Sequence, residues 1–253
     1  MAMGAAAVIA FAGLSAQPGT AAAANDNTAR HPVLVELFTS EGCSSCPPAD
    51  ALLAQLDAQP INGAQVIVLS EHVTYWDQEG WRDPFSLEAM TQRQKQYAWR
   101  LGISDVYTPQ AVIDGSAQLV GSNARGLQDA VTKAAAQPKE ELKIADAQWT
   151  AGAVHFSVRG GSAPNGKTTL VAALAEDSAQ SSVARGENAG KNLRHVAVVR
   201  AMQEMGKDAD DGRALTLKAS EVSKDGPLRL VVFLADRHNG HVLAVAEQTI
   251  PRT

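Results

Sequence analysis

Two cysteines, Cys43 and Cys46, are the residues of this sequence best suited to covalent chemistry. The chain of 253 residues has no other cysteine, and only Ser44 and Ser45 stand between these two. A disulfide across so short a loop removes little conformational entropy from the unfolded chain, so it is a poor structural crosslink. The same spacing is typical of redox pairs, in which one thiolate attacks and the other resolves the mixed disulfide. We therefore predict Cys43 as the nucleophile and Cys46 as the resolving cysteine.

Two other roles fit the same pair. A structural zinc site usually takes four ligands, and the sequence holds no second cysteine pair. Together with His72, the two thiols could offer a Cu(I) site, which would make the chain a copper carrier or metallochaperone. Alternatively, the thiols are inert and the chain is a non-catalytic binding module. The redox interpretation, which we prefer, predicts no cofactor and no bound metal.

A βαβ unit is predicted to position the cysteines. Residues 33–38 and 66–69 are short apolar runs typical of buried strands, and residues 49–59 between them place leucines on one helical face. Two such strands should be parallel, with a right-handed crossover that leaves the loop after the first strand at the carboxyl edge of the sheet. His72 follows the second strand at the same edge, where it could shuttle protons. A histidine that only ends the strand at the solvent edge fits equally well.

A proline stands near the start of the next predicted strand, residues 106–113. It belongs to the run Tyr107-Thr108-Pro109, and proline is poorly tolerated inside a sheet because it lacks the backbone donor. We therefore predict a cis peptide bond between Thr108 and Pro109, since cis bonds are found almost only before proline. Both residues become candidates for the site.

Aromatic residues that follow the second predicted strand are candidates for binding a substrate. Trp76 and Trp81, with Phe85, could form a lid or a peptide-binding surface over the cysteines, and Tyr107 is a further candidate. The charged residues that could orient the cysteine pair are Asp77, Arg82 and Asp83. The alternative, which we prefer, is a packed loop with a surface ion pair.

The chain is predicted to divide into an α/β region and a β-rich region. After the βαβ unit, the first region, residues 30–140, continues with a helix over 86–101, strands over 106–113 and 117–120, and a helix over 126–136. In the second region, residues 141–253, turn signals separate short strands, which indicates a small antiparallel sandwich. These strands are expected over residues 143–149, 154–159, 168–175, 193–199, 215–219, 228–235 and 242–250.

Charge and the amino-terminal segment limit the partners and the location. The sequence has 22 basic and 27 acidic residues, a formal charge of −5, which argues against a nucleic-acid surface. Residues 1–24 carry no charge, and their apolar run is shorter than the roughly 20 residues of a membrane span. Small residues then offer cleavage sites, so we predict a secretory signal peptide, with an alanine-rich leader as the alternative. Export would place the mature chain, without a stable membrane span, in an oxidising compartment.

Several motifs carry a resemblance to a known family. The longest runs from Val35 to Asp50 (VELFTSEGCSSCPPAD), followed by HVTYWD at 72–77, GWRDPF at 80–85 and YTPQ at 107–110. Further matches are NARG at 123–126, RGEN at 185–188, Gly190 and His195. Together these motifs resemble a bacterial family of predicted secreted proteins of unknown function with a thioredoxin-like domain.

The resemblance covers nearly all of the mature chain and implies a thioredoxin-like fold, a mixed sheet flanked by helices. In that fold Cys43 and Cys46 match the redox pair, and Pro109 matches the cis-proline that faces it. A helical insertion near residues 72–104 would enlarge the domain. The two serines between the cysteines and the double proline after them differ from ordinary thioredoxins. Because the family's activity is unassigned, the likeness of fold alone does not decide the function.

The sequence therefore predicts a periplasmic or secreted thiol-disulfide oxidoreductase that works by exchange at Cys43. Its partners would be protein thiols or disulfides and an unidentified redox partner. The predicted catalytic residues are Cys43, Cys46, Thr108, Pro109 and His72, and the predicted substrate-binding residues are Trp76, Trp81 and Tyr107. A ligand site is also possible at Arg185, Glu187, Asn188 and His195, although an ordered loop between strands is the interpretation we prefer.

Overall fold

The computed structural model describes Met1 and residues 30–252, except positions 60, 62, 162–166, 207–211, 220–221 and 224–225. The predicted signal peptide, apart from Met1, lies outside the described residues. In the described part the order of elements is β1 (His31–Thr39), α1 (Pro47–Ala58), β2 (Ala64–His72), α2 (Glu88–Leu101), β3 (Gln110–Ile113), β4 (Ala117–Val120), α3 (Ala124–Ala135), β5 (Leu142–Thr150), β6 (Ala153–Gly160), β7 (Thr168–Ser182), β8 (Asn192–Glu204), β9 (Ala214–Lys218), β10 (Leu228–Asp236) and β11 (Val242–Ile250).

The fold is of the mixed α/β kind, with one large mixed sheet. Its eight strands follow the order β11-β10-β7-β8-β2-β1-β3-β4. Strands β1 and β2 pair in parallel, with Val35 opposite Val68 and Thr39 opposite His72, which confirms the predicted βαβ unit. Strand β3 pairs antiparallel with both β1 and β4, as a hairpin beside the parallel pair.

The carboxyl-terminal strands are shared between two sheets. Strand β8 joins the main sheet beside β2 through the parallel pair Ser70 and Val198, and β7, β10 and β11 extend it further. Strands β5, β6 and β9 form a separate three-stranded sheet. The β-rich region therefore does not stand apart from the first region, because its strands continue the same hydrogen-bonded sheet. The thioredoxin-like and sandwich assignments, which are finer than this description, stay predictions.

Strand β7 shows how one strand serves two hydrophobic cores. Leu170, Ala172 and Leu174 pack with the three-stranded sheet, whereas Val171, Ala173 and Ala175 pack in the core that contains β1 and β2. Successive side chains of a strand point to opposite faces, so this alternation gives the main sheet two buried faces. Of the described helices, none is long and apolar enough to cross a lipid bilayer.

Helix α1 begins where the cysteine loop ends. Pro47 and Pro48 occupy its first two positions, where a missing backbone donor costs little and the fixed φ suits a helix. Its buried face includes Ala49, Asp50 and Leu53, which turn toward the sheet. The sequence thus fixes the direction in which the chain leaves the cysteine pair and points an acidic residue into the interior.

Helix α2 covers the opposite face of β1 and β2. Tyr97 of α2 packs edge to face on Phe38 of β1, with ring centroids 6.0 Å apart. Helix α2 begins at Glu88, later than the predicted start at residue 86, because Ser86 donates its hydroxyl to Asp77 and does not cap the helix. The two faces of β1 and β2 are therefore covered by different helices.

Candidate functional site

Cys43 and Cys46 form a disulfide between the end of β1 and the start of α1, with their Cα atoms 5.4 Å apart. Both residues have 0% of their surface exposed, whereas Ser44 and Ser45 between them are exposed. The hydroxyl of Ser45 lies 3.4 Å from the sulfur of Cys43. The loop thus presents its serines to solvent and turns its sulfurs inward.

The peptide bond between Thr108 and Pro109 is cis, as predicted. Trp76 connects it to the cysteine loop, because its indole N–H donates to the hydroxyl of Thr108 at 2.7 Å. The same tryptophan packs so closely on Gly42 that a Cβ there would lie 3.1 Å from the Cβ and the carbonyl oxygen of Trp76. One predicted substrate-binding residue is therefore a bridge between the two halves of the predicted catalytic site.

The connection between β7 and β8, residues 183–191, covers the cysteine loop from the carboxyl-terminal region. The buried amide of Asn188 donates to the carbonyls of Glu41 and Cys43, at 2.8 and 2.9 Å. The backbone N–H of Ser44 donates to the Glu187 carboxylate at 3.1 Å. The sequence favours an ordered loop for these residues, and the contacts of this loop are made to the cysteine loop itself.

A group of ionisable side chains is buried beside the disulfide, and we name it the acid-histidine cluster: Glu41, Asp50, His72, Asp83 and His195. In its first half, Nδ1 of His72 lies 2.7 Å from the carboxylate of Asp83. That carboxylate also accepts from the backbone N–H groups of Glu41 and Phe85, both at 2.8 Å. Asp83 therefore fixes the ring of His72 and the loop that leads to the cysteines.

The second half of the cluster is built around His195 of β8. Its Nε2 lies 3.2 Å from the carboxylate of Glu41, and its Nδ1 lies 3.7 Å from Oδ2 of Asp50. Glu41 also accepts from the indole N–H of Trp81 at 2.9 Å and from the hydroxyl of Ser181. The two histidine rings meet edge to face, with centroids 4.6 Å apart, so the two halves form one continuous group.

Charges within the cluster shift its pKa values. Burial would lower the pKa of His72, but the carboxylates of Asp83, Asp50 and Glu41, with Asp83 foremost, together outweigh this effect and raise it. Burial would raise the pKa of Asp83, but His72 and the two backbone donors outweigh this effect and together lower the pKa to about 2. Near neutral pH this favours an imidazolium-carboxylate pair. Burial raises the pKa of Asp50 above its ordinary value, although His195, His72 and the Thr39 hydroxyl each act to lower it.

Three polar atoms of the cluster have no hydrogen-bond partner among the described residues: Oδ2 of Asp50, Nε2 of His72 and Nδ1 of His195. A buried polar atom without a partner costs about 1 to 3 kcal/mol, so natural proteins rarely keep several together. The described residues include no group of three or more His, Cys, Asp or Glu arranged to hold a metal ion.

The structure brings most of the predicted site residues together. Trp81 reaches the cluster through Glu41, and Phe85 packs its ring on both histidines, with centroids 5.4 and 5.7 Å away, instead of forming an exposed lid. Asp83 makes a buried pair with His72, whereas the preferred interpretation was a surface ion pair. Tyr107 donates its hydroxyl to Gln118 and so is held toward β4. Arg82 and Arg185 are exposed.

Sequence reasoning missed Glu41, Asp50 and Ser181 as members of the site. Asp50 gave a signal, since it is an acidic residue on the face of a predicted helix that also carries Leu53. Glu41 gave none, because an acid between Ser40 and Gly42 is typical of a solvated turn. Their roles depend on contacts with β7 and β8, which no local sequence pattern predicts.

Comparison with protein families places the chain in a family whose function is unknown. Residues 34–235 match the family described as "Protein of unknown function (DUF1223)". The chain is also similar to protein AGR_C_4864 from Agrobacterium tumefaciens, whose structure was determined by X-ray crystallography. That likeness has 27% sequence identity and a TM-score of 0.62, over 85% of this chain and 92% of the other. No curated protein matches the chain.

Proposed function

We propose that this chain, which belongs to the DUF1223 family of proteins of unknown function, is a thiol-disulfide oxidoreductase of protein thiols or disulfides. One observation carries the proposal: the Cys43–Cys46 disulfide lies between β1 and the start of α1, joined through Trp76 to the cis bond at Thr108. A disulfide across so short a loop contributes little to stability, so its value is chemical. We further propose that the chain works in the periplasm or outside the cell, where such a disulfide persists.

Exchange at this pair balances as a transfer of two electrons. A substrate thiolate attacks the sulfur of Cys43, the bond between the two cysteines breaks, and Cys46 leaves as a thiolate. A second substrate thiol then attacks the mixed disulfide, so the substrate leaves oxidised and the pair is reduced. The reverse sequence reduces a substrate disulfide. The partial positive charge at the start of α1 stabilises the anionic sulfur in either direction.

Burial of the sulfurs favours a second candidate function, a non-catalytic binding module. Cys43 and Cys46 are both 0% exposed, and an attacking thiolate must approach along the axis of the disulfide. In the second candidate the disulfide stays closed and only holds the loop for a partner. In the first, the contacts of residues 183–191 must open before exchange.

Reduction of insulin by dithiothreitol separates the two candidates. We expect the wild-type chain to accelerate the reaction and Cys43→Ser to abolish the acceleration, because the attacked sulfur is gone. Ser44→Ala, which changes an exposed residue of the same loop, is the matched control and should keep the activity. Equal rates for the wild type and Cys43→Ser would rule out catalysis. The binding module instead predicts that a chain without either cysteine still rescues a strain that lacks the gene.

A further inference from the structure

Asp50 lies one helical turn after Cys46. Cys46 already has helical backbone angles, φ −79° and ψ −38°, and its carbonyl accepts the backbone N–H of Asp50 at 3.1 Å. Residues four apart in a helical turn lie on the same face, with Cβ atoms about 5 to 6 Å apart. Both side chains are buried, at 0% and 5% exposure. A thiolate released at Cys46 therefore has the Asp50 carboxyl group on its own side of the helix.

The Asp50 carboxyl group is held from one side and free on the other. Its Oδ1 accepts from the hydroxyl of Thr39 in β1 at 2.8 Å. Its Oδ2 has no hydrogen-bond partner among the described residues and lies 3.7 Å from Nδ1 of His195, an atom that has none either. The other titratable groups that act on Asp50 are His72 of β2 and Asp83 of the loop before α2. The free oxygen thus belongs to the only acid of the cluster that shares a helical turn with a cysteine.

We propose that Asp50 passes a proton to and from Cys46, and that His195 is a positioning residue that orients the Asp50 carboxyl group for the transfer. The inference rests on the proposed exchange function and deepens it. It also gives the carboxyl-terminal region a part in the reaction, since His195 lies on β8. The site is then incomplete without that region.

The proton transfer completes the balance of the exchange reaction. When a thiolate attacks Cys43, the electron pair of the broken bond goes to the sulfur of Cys46, where a buried thiolate is costly. Asp50 donates its proton to that sulfur, which leaves a Cys46 thiol and an Asp50 carboxylate. In the reverse direction the carboxylate takes the proton back, and the Cys46 thiolate attacks the mixed disulfide at Cys43. The substrate sulfur then leaves as a thiolate.

Stopped-flow reaction of the reduced full-length chain with the aromatic disulfide dithiobis-nitrobenzoate resolves the step. The first coloured thiolate is released when Cys43 attacks the reagent, and the second is released when Cys46 resolves the mixed disulfide. In Asp50→Asn we expect an unchanged first release and a second release slowed about 100-fold or more near neutral pH, as for loss of a general base. Asp129→Asn, an exposed acid on α3, is the matched control and should change neither phase.

The pH profile of the second release separates a chemical role from a structural one. In the wild type the rate should rise with the titration of the Asp50 carboxyl group, whereas in Asp50→Asn it should rise only through the thiol range near pH 8.5. Thr39→Val and His195→Gln remove groups that lower the pKa of Asp50, so both should move the wild-type inflection to higher pH. These two variants keep the test decisive if Asp50→Asn fails to fold.

Two results would overturn the inference, and they differ from each other. A second release of normal rate in folded Asp50→Asn, or an inflection that stays in place in both Thr39→Val and His195→Gln, contradicts the role of Asp50 and leaves the exchange function intact. Absence of the first release from the wild type contradicts the exchange function itself and this inference with it. A slowed second release with a shifted profile supports both.

Discussion

Strands β1 and β2 carry buried charges on both faces, and the two groups are built differently. The acid-histidine cluster lies on the face of α1, beside the disulfide. On the face of α2, Glu36 and Glu71 are buried against Arg93 and Tyr97, and we name this group the arginine cluster. Strand alternation separates them, because Glu71 and His72 are neighbours in sequence and point to opposite faces. One sheet thus keeps two groups of charges apart.

The arginine cluster is arranged to hold charge in place. Arg93 donates through Nε to Glu36 at 2.7 Å, through its Nη2 to the same carboxylate, and from that atom to the hydroxyl of Tyr97 at 2.9 Å. Tyr97 in turn donates to the other oxygen of Glu36 at 2.5 Å. A guanidinium stays charged at any ordinary pH and gives a fixed fork of donors, so it suits a permanent contact. This group ties α2 to the sheet.

The acid-histidine cluster has histidines in place of the arginine. Imidazole changes its charge within the ordinary pH range, so it can release and take up a proton where a guanidinium cannot. Both clusters contain buried polar atoms without a hydrogen-bond partner among the described residues, on Glu71 in the arginine cluster and on Asp50, His72 and His195 in the acid-histidine cluster. The distinction between the clusters therefore lies in the type of cationic group and in the position beside the disulfide. The difference teaches that burial of charge by itself does not mark a functional site, and that buried groups able to titrate beside a disulfide are the better candidates for one.

The largest effect is expected from Arg93→Met. It leaves Glu36 and Glu71 as buried acids without their cation, and removal of one partner of a buried pair costs about 3 to 5 kcal/mol. Urea unfolding measures the loss, and Lys95→Met, an exposed change on the same helix, should stay within about 0.5 kcal/mol. If the Arg93 variant were as stable as the wild type but lost the exchange reaction, a purely stabilising role for the arginine cluster would be wrong.

Asp83→Asn should destabilise the protein by about 2 kcal/mol at mildly acidic to neutral pH, because the pKa of Asp83 is lowered from 3.8 to about 2. The stabilisation by this carboxylate is present above pH 3.8 and is lost as the pH falls toward 2. The stabilisation by His72, whose pKa is raised, is present below its ordinary pKa of 6.5 and is lost as the pH rises through the raised value. The difference between the wild type and the variant should therefore be largest from about pH 4 to 6.5.

Unfolding by urea from about pH 2 to neutral pH measures the effect of Asp83→Asn. Glu79→Gln, an exposed acid in the same loop, is the matched control and should leave the pH dependence unchanged. A stability difference that is as large near pH 2 as it is between about pH 4 and 6.5 would show that the pair with His72 carries no net charge interaction.

Asn188→Ala tests the cover over the disulfide. The variant loses two hydrogen bonds from the amide to the carbonyls of Glu41 and Cys43, which together stabilise the closed loop by about 1 kcal/mol or more. A shift of that size in the opening of residues 183–191 corresponds to about fivefold faster reduction of the disulfide by dithiothreitol. Asn192→Ala, exposed at the start of β8, is the matched control. An unchanged rate in Asn188→Ala would mean that this loop does not limit access.

The sequence predicts local elements better than it predicts which elements meet. The βαβ unit and the cis bond before Pro109 follow from apolar runs and from the backbone limits of proline. The joined sheet does not follow, because β2 and β8 meet through the single pair Ser70 and Val198, which no periodicity encodes. The same holds for the acid-histidine cluster, since His195 lies on β8 and is near Asp50 because β8 is part of the joined sheet. Sequence reasoning therefore finds the cysteines and His72, and misses Glu41 and Asp50 beside them.

The smallest effect is expected from Glu71→Gln, and it contrasts the two clusters most sharply. Burial and the nearby Glu36 carboxylate raise the pKa of Glu71 well above its ordinary value, as burial does more weakly for Asp50. For an acid with a raised pKa in the folded state, stability falls as the pH rises from the ordinary value toward the raised one. Glu71→Gln removes that slope, so it should change stability by less than about 0.5 kcal/mol below pH 4.5 and be stabilising at alkaline pH. Asp50→Asn should share this sign in urea unfolding but alone should slow the resolution of the mixed disulfide. If Glu71→Gln slowed the resolution of the mixed disulfide as much as Asp50→Asn does, the arginine cluster would also take part in the reaction, and the proposed difference between the two clusters would be wrong.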